Sequence, residues 1–155
     1  MTTRTIRDLI SGHELLSGLD PEYLDLVAGC GRNVAFGVGD WIGREGAPAD
    51  SFYVLREGRV ALEVHSPDRG PIVVATLSPG DVLGWSWLFP PYRWRFDARA
   101  LDPVRAVALD GVCLRGKCDA DPRLGYELMR RFARIMVGRL EATRLQLLDV
   151  YGGKS

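Results

Sequence analysis

Leu77-Ser-Pro-Gly-Asp-Val-Leu-Gly-Trp-Ser-Trp-Leu88 and, past a short proline-containing insert, Arg95-Phe-Asp-Ala-Arg-Ala-Leu101 decide how this chain is read. Pro79-Gly80-Asp81 marks a turn, Val82-Leu83 a short strand, and Gly84 opens what reads as one helical turn. That geometry aims several free backbone N–H groups at one point, and an arginine follows close by. Amide donors converging beside a guanidinium form a site for an anion.

Outward from this stretch, residues Val34 to Leu109 consist of short apolar runs separated by Gly, Pro and Asp. The turn signals are Gly37-Val-Gly-Asp40, Gly46-Ala-Pro48, Glu57-Gly58 and Pro67-Asp-Arg-Gly70. Between them Ser51 to Leu55, Arg59 to Val64 and Ile72 to Leu77 are rich in Val, Leu, Tyr or Phe, the residues that fit a half-buried strand. About eight strands fit, the pattern of an all-β sandwich or jelly roll.

The flanks are helical. Residues Ile6 to Ala28 read as short helices with Leu15, Leu16, Leu19, Leu24 and Val27 on an apolar face, and Asp20-Pro21 supplies an N-cap followed by proline at the first position. After Asp119-Ala-Asp-Pro122 the period is that of a helix to about Tyr151, where Gly152-Gly153 ends it. Met129, Ala133, Met136, Leu140, Thr143, Leu147 and Val150 alternate four and three apart, a heptad seam. Leu124, Leu128, Phe132 and Ile135 form a second stripe that fades after the first half. The expected organisation is one domain: a helical entry at 1–33, a β-roll at 34–118 and a long helix at 119–151. The early double stripe should pack on the roll. A helix about 40 Å long at 1.5 Å per residue outruns one small roll, so the later seam is expected to be covered by a parallel homodimer.

The chain has 155 residues, 46% hydrophobic and 26% charged, enough for one self-sufficient core. Twenty basic and twenty acidic residues balance to zero, so no global charge draws it to nucleic acid or anionic membrane. Met-Thr-Thr-Arg-Thr-Ile-Arg-Asp lacks the apolar core of a secretion signal, and no apolar run reaches bilayer length; a cytoplasmic location is expected. Cys30, Cys113 and Cys118 form an odd set without a CxxC pair and are expected to be reduced thiols.

The order of parts, together with Gly46-Ala-Pro-Ala-Asp-Ser-Phe-Tyr-Val-Leu55, Gly58-Arg-Val-Ala-Leu62 and Leu77-Ser-Pro-Gly-Asp-Val-Leu-Gly84, resembles the cyclic-nucleotide-binding domain of the Crp/Fnr and kinase regulatory-subunit superfamily. The resemblance covers nearly the whole chain. It implies a mainly β fold with flanking helices: a double-stranded β-helix jelly roll with short N-terminal helices and a long C-terminal helix. It also implies a cassette of Gly-Glu-x-Ala/Ser-Leu, with Arg-Ser/Thr-Ala nine or ten residues after the glutamate. In that family the glutamate accepts a ribose hydroxyl, the arginine pairs with the cyclic phosphate, and amides of the short helix complete the anion site.

Carried over residue by residue, Gly84 and Leu88 match the cassette, while Trp85 stands at the glutamate and Trp87 at the small residue. Counting forward from Trp85 places Arg95 at the phosphate ligand; counting back from Arg99-Ala100-Leu101 without a gap places Trp94 there. The ligand-contacting set read from the sequence is therefore Gly84, Trp85, Ser86, Trp87, Leu88 and Arg95. Trp85, Trp87 and Trp94, with Phe89, Tyr92 and Phe96, form a dense aromatic cluster. On one reading these rings line a pocket that stacks a base or another flat ligand, with Arg93 or Arg95 as anion partner. On the other they fill the pocket themselves.

No enzyme is expected. His13 and His65 are too far apart for a metal-dependent cupin site, and Gly84-Trp-Ser-Trp-Leu88 lacks the second glycine of a nucleophile elbow. Haem sensing would need an axial ligand inside the roll, for which His65 and Cys113 are the candidates. No metal is expected, nor any certain cofactor; a cyclic nucleotide or another small anion is the candidate ligand. In transcription factors of this family a helix-turn-helix domain follows the long helix; here the chain stops at Ser155, so no direct DNA contact is expected and gene regulation would run through a protein partner. The expected function is a non-enzymatic, ligand-sensing regulatory protein, the alternative a ligand-free structural or adaptor module working through its helix and aromatic insert.

Overall fold

Among the residues described by the computed structural model, 5–152 for the backbone and 5–142 for side chains, eight strands form two antiparallel four-stranded sheets. The strands are β1 (Gly31–Phe36), β2 (Trp41–Gly43), β3 (Ser51–Glu57), β4 (Val60–Ser66), β5 (Gly70–Leu77), β6 (Val82–Leu83), β7 (Asp97–Ala100) and β8 (Val104–Asp110). One sheet runs β1-β8-β3-β6 and the other β2-β7-β4-β5. Every connection except the β4–β5 hairpin crosses between the sheets, which makes the structure a jelly roll.

Strand alternation explains why β3 and β8 are buried on both sides. Tyr53, Leu55, Val104 and Ala106 point into the roll with Val60, Leu77, Leu83, Ala98 and Ala100. Their alternates Phe52, Val54, Val107 and Leu109 point outward beneath the helices, with Ile10, Leu15, Leu16, Val27, Leu114 and Leu128. Two cores therefore share one pair of strands.

Turns lock the far end of the roll. Gly58 has φ +84°, and a Cβ there would lie 2.3 Å from the Pro103 carbonyl oxygen. The neighbouring Arg59 donates from its Nε (2.9 Å), Nη2 (3.2 Å) and backbone N–H (3.1 Å) to the Asp102 carboxylate. Gly58→Ala should cost about 2–3 kcal/mol, the sum of a left-handed conformation and a rigid backbone clash, measurable by urea denaturation. The Arg59 hydrogen bonds hold the Asp102 carboxyl below its ordinary range. Its contribution is thus present above the unfolded carboxylate pKa and lost as pH falls through the lowered value.

The helical entry consists of α1 (Ile6–Ile10) and α2 (Pro21–Ala28). Thr5 and Asp8 close a capping box on α1. Asp20 precedes Pro21 at the N-cap, but its side chain makes no capping bond. The segment between them is anchored by His13: the Leu15 N–H donates to its Nδ1, leaving Nε2 to donate to the Gly80 carbonyl.

Two expectations are corrected here. The helical region begins at α3 (Gly111–Ala120), inside the segment assigned to the roll, before α4 (Pro122–Gly152). Two glycines and a weak apolar period conceal α3 in the sequence; its cap, the Asp110 side chain accepting from the Cys113 N–H, and the burial of Leu114 decide it. The second correction concerns the thiols. Cys30 and Cys113 form a disulfide with Cα atoms 5.8 Å apart, across a sequence separation of 83. The β1–β8 pairing, with Gly31 opposite Leu109, brings them together. Cys118 alone is free, and burial pushes its thiol pKa up.

On α4, Leu124, Leu128 and Phe132 are buried against the roll and Ile135 packs beside them. Met129 and Ala133, expected to join that contact, are exposed, as is Leu140. Only one face of the helix can meet the roll. The seam residues Thr143, Leu147 and Val150 lie outside the described side chains. Among the described residues no helix is long and apolar enough to cross a membrane.

Candidate ligand-binding site

The turn before the cassette is fixed by reciprocal bonds. The Ser78 N–H donates to the Asp81 carboxylate at 2.8 Å, the Asp81 N–H to the Ser78 carbonyl at 3.0 Å, and the Gly80 N–H to the Leu55 carbonyl at 2.8 Å. β6 then carries the chain to Gly84, whose φ of +92° is a conformation that glycine adopts without penalty. Ser86–Leu88 form one 3-10 turn after Trp85.

Beside this turn lies a cavity of about 370 Å³, within the range of small-molecule sites. Its wall comes from three places: Leu62, Leu83, Gly84, Trp85 and Ser86 from the roll and cassette; Phe89, Trp94, Arg95 and Phe96 from the insert; and Met136 and Arg139 from α4. Of the residues selected from the sequence, Gly84, Trp85, Ser86 and Arg95 meet here. Trp87 and Leu88 do not line it. Trp87 is buried in the core under the helices, stacked on Phe52 at 4.8 Å and 13°, and Leu88 packs against the same core. Arg93 is turned away, donating to the Gly46 carbonyl at 2.8 Å.

Two tryptophans are seated by glycines. Trp94 lies flat against Gly43, where a Cβ would be 2.4 Å from the indole, and its edge would be 3.3 Å from a Cβ on Gly84. Trp87 has the same relation to Gly111, a Cβ on which would lie 2.9 Å from the Trp87 Cβ. The aromatic cluster thus divides: Trp87 is core, Trp94 is a fixed inner wall covering the glycine, and Trp85 is a half-buried side wall packed edge-on against Phe132 at 5.0 Å. Gly43→Ala should push Trp94 from its slot, costing about 1–3 kcal/mol as overpacking does, with a red shift in tryptophan emission as the check.

The wall is apolar apart from Ser86 and the two guanidiniums. Neither Arg95 nor Arg139 has an ion-pair or hydrogen-bond partner among the described residues. Burial lowers the Arg139 pKa, with Asp81 acting in the opposite direction. The buried carboxylate of the roll, Glu63, is 3% exposed, already accepts from Arg99 Nη2 at 2.6 Å, and does not line the cavity. The remaining candidates stand elsewhere: His65 is exposed on β4, and Cys113 is bonded to Cys30. No group of three His, Cys, Asp or Glu able to hold a metal occurs among the described residues.

Met136 and Arg139 were legible as cavity residues only indirectly. Phe132, Met136 and Arg139 follow the four-then-three spacing of one helix face, so the stripe packed on the roll continues over the cavity and ends in a cation. Read as a heptad seam, Met136 belongs with Met129 and Leu140 instead.

The family model for the cyclic nucleotide-binding domain matches residues 33–121, and the chain belongs to that family. A CRP-like cAMP-activated global transcriptional regulator of Mycobacterium tuberculosis is 26% identical over 143 residues, 92% of this chain and 62% of its own length. The chain thus spans less than two thirds of that relative. A putative cyclic nucleotide-binding protein from Geobacter metallireducens has 30% identity and a TM-score of 0.78, covering 90% of this chain and 99% of its own. The catabolite activator protein of Thermus thermophilus, at 22% identity and TM-score 0.69 over 90% of this chain and 63% of its own, shares the fold.

Proposed function

We propose that the protein is a non-enzymatic sensor in which a small molecule in the cassette cavity sets the position of α4. The observation that carries this reading is the shared wall: the same cavity is lined by Trp85 and Ser86 of the cassette and by Met136 and Arg139 of α4. A ligand shifts a conformational equilibrium only by binding its two states unequally. One that touches both roll and helix has different contacts whenever the helix moves, and Trp85 packs directly on the α4 anchor Phe132.

The output surface is the outer face of α4. Met129, Val137 and Leu140 are 38%, 53% and 69% exposed, an apolar strip of the kind that marks an interaction site. A homodimer through this helix covers it, in a cytoplasmic setting and with signalling through a protein partner. Size-exclusion chromatography with light scattering tests the dimer; a monomer at micromolar concentration overturns it. Hydrogen exchange along residues 129–150, with and without a saturating bound ligand, tests the sensor. Altered protection is expected, and identical protection rejects it.

The adaptor reading has one observation in its favour: Trp94 is packed into the wall of the cassette cavity with its ring edge close to Gly84. On that reading neither cAMP nor cGMP gives saturable heat on titration, and no small molecule perturbs the tryptophan emission.

A further inference from the structure

We propose that the cavity takes a small apolar organic molecule bearing one carboxylate, gripped between Arg95 of the insert and Arg139 of α4, with its body against Trp85, Phe96 and Met136. This rests on the sensor reading and names the ligand class. The first reason is the hydrogen-bonding inventory. Apart from the Ser86 hydroxyl, the polar side-chain groups of the wall are guanidinium and indole N–H groups, which only donate. A ligand rich in hydroxyl or amino groups would bring protons that these side chains cannot accept, whereas a carboxylate brings acceptors alone. Glu63, the buried carboxylate of the roll, is committed to Arg99 and does not line the cavity.

The second reason is the charge balance. Arg95 and Arg139 face one cavity and form no salt bridge among the described residues; Asp81 acts on Arg139 from outside the wall, and no carboxylate shares it. A carboxylate suits the planar fork of a guanidinium, and an otherwise apolar enclosure disfavours further charges on the ligand. The third is shape. Trp94 stands beside Gly84, its ring edge 3.3 Å from where a Cβ would lie, and Arg95 and Arg139 are the cationic groups of the wall. The remaining surface, Leu62, Leu83, Phe96 and Met136 among it, is hydrocarbon or aromatic ring.

The test is isothermal titration of the full chain with 1-naphthaleneacetate, its neutral amide 1-naphthaleneacetamide, and cAMP. The acid is expected to bind about tenfold or more tighter than the amide, the value of a charge-assisted pair. Arg95→Gln and Arg139→Gln, neither of which removes a salt bridge or hydrogen bond among the described residues, should each erase that advantage while leaving the amide within about twofold. Acid and amide binding equally, neither binding up to millimolar concentration, or cAMP binding more tightly than the acid overturns the proposal. Hydrogen exchange of α4 separates the two levels. A bound acid that leaves the helix unchanged supports the ligand class and rejects the sensor, whereas tight cAMP binding that alters the helix keeps the sensor and rejects the ligand class.

Discussion

Phe132→Ala is expected to lower the unfolding free energy by about 3–5 kcal/mol, the usual cost of emptying a buried phenylalanine site. Phe132 is 1% exposed and meets three rings edge-on: Trp85 at 5.0 Å, Phe52 at 5.3 Å and Trp87 at 5.6 Å. Those rings belong to the cassette and to β3, so they cannot close the space without disturbing the roll. The loss should appear in urea denaturation together with a red-shifted emission from Trp85 and Trp87. Arg134→Ala, two residues further along an exposed part of the same helix and outside the apolar strip, should stay within about 0.5 kcal/mol. Equal effects at the two positions would contradict the placement of α4.

Reduction of the Cys30–Cys113 disulfide, or Cys113→Ser, should cost about 4 kcal/mol by the chain-entropy argument, because the bond closes a loop across 83 residues. At about 2–4 °C per kcal/mol for a chain of this size, the melting temperature should fall by roughly 10 °C. Cys118→Ser serves as the control, and in the oxidised, denatured protein only Cys118 should react with an alkylating agent. A melting temperature indifferent to reductant would show that the bridge does not hold α3. Cytosolic disulfides are uncommon, so in a reducing compartment this same pair would hold the α2 end and the α3 start together only part of the time.

The β-roll was legible because its turns carry their own chemistry. Gly58, Gly80 and Gly84 all have positive φ, and each stands where a glycine punctuates short apolar runs. The long helix was legible from the spacing of Leu124, Leu128 and Phe132. α3 was not, since Gly111 and Gly116 weaken its propensity and only Leu114 marks a core-facing turn. Local patterns also placed Gly84, Trp85, Ser86 and Arg95 in one neighbourhood, yet could not tell that Trp87 and Leu88 turn into the core while Trp94 takes the wall.

Chain-local chemistry, then, was sufficient for the jelly roll, its helical entry and its long C-terminal helix, and the family resemblance supplied the cassette in which Trp85 stands at the glutamate position. Three things needed the third dimension. Cys30 meets Cys113 because β1 pairs with β8; Trp94 is seated because Gly43 and Gly84, far apart in the chain, leave room for one indole; and Arg139 joins Arg95 because α4 crosses the cassette. Each depends on contacts between residues distant in sequence, and periodicity, which reports only which face of an element is apolar, carries no record of what that face will meet.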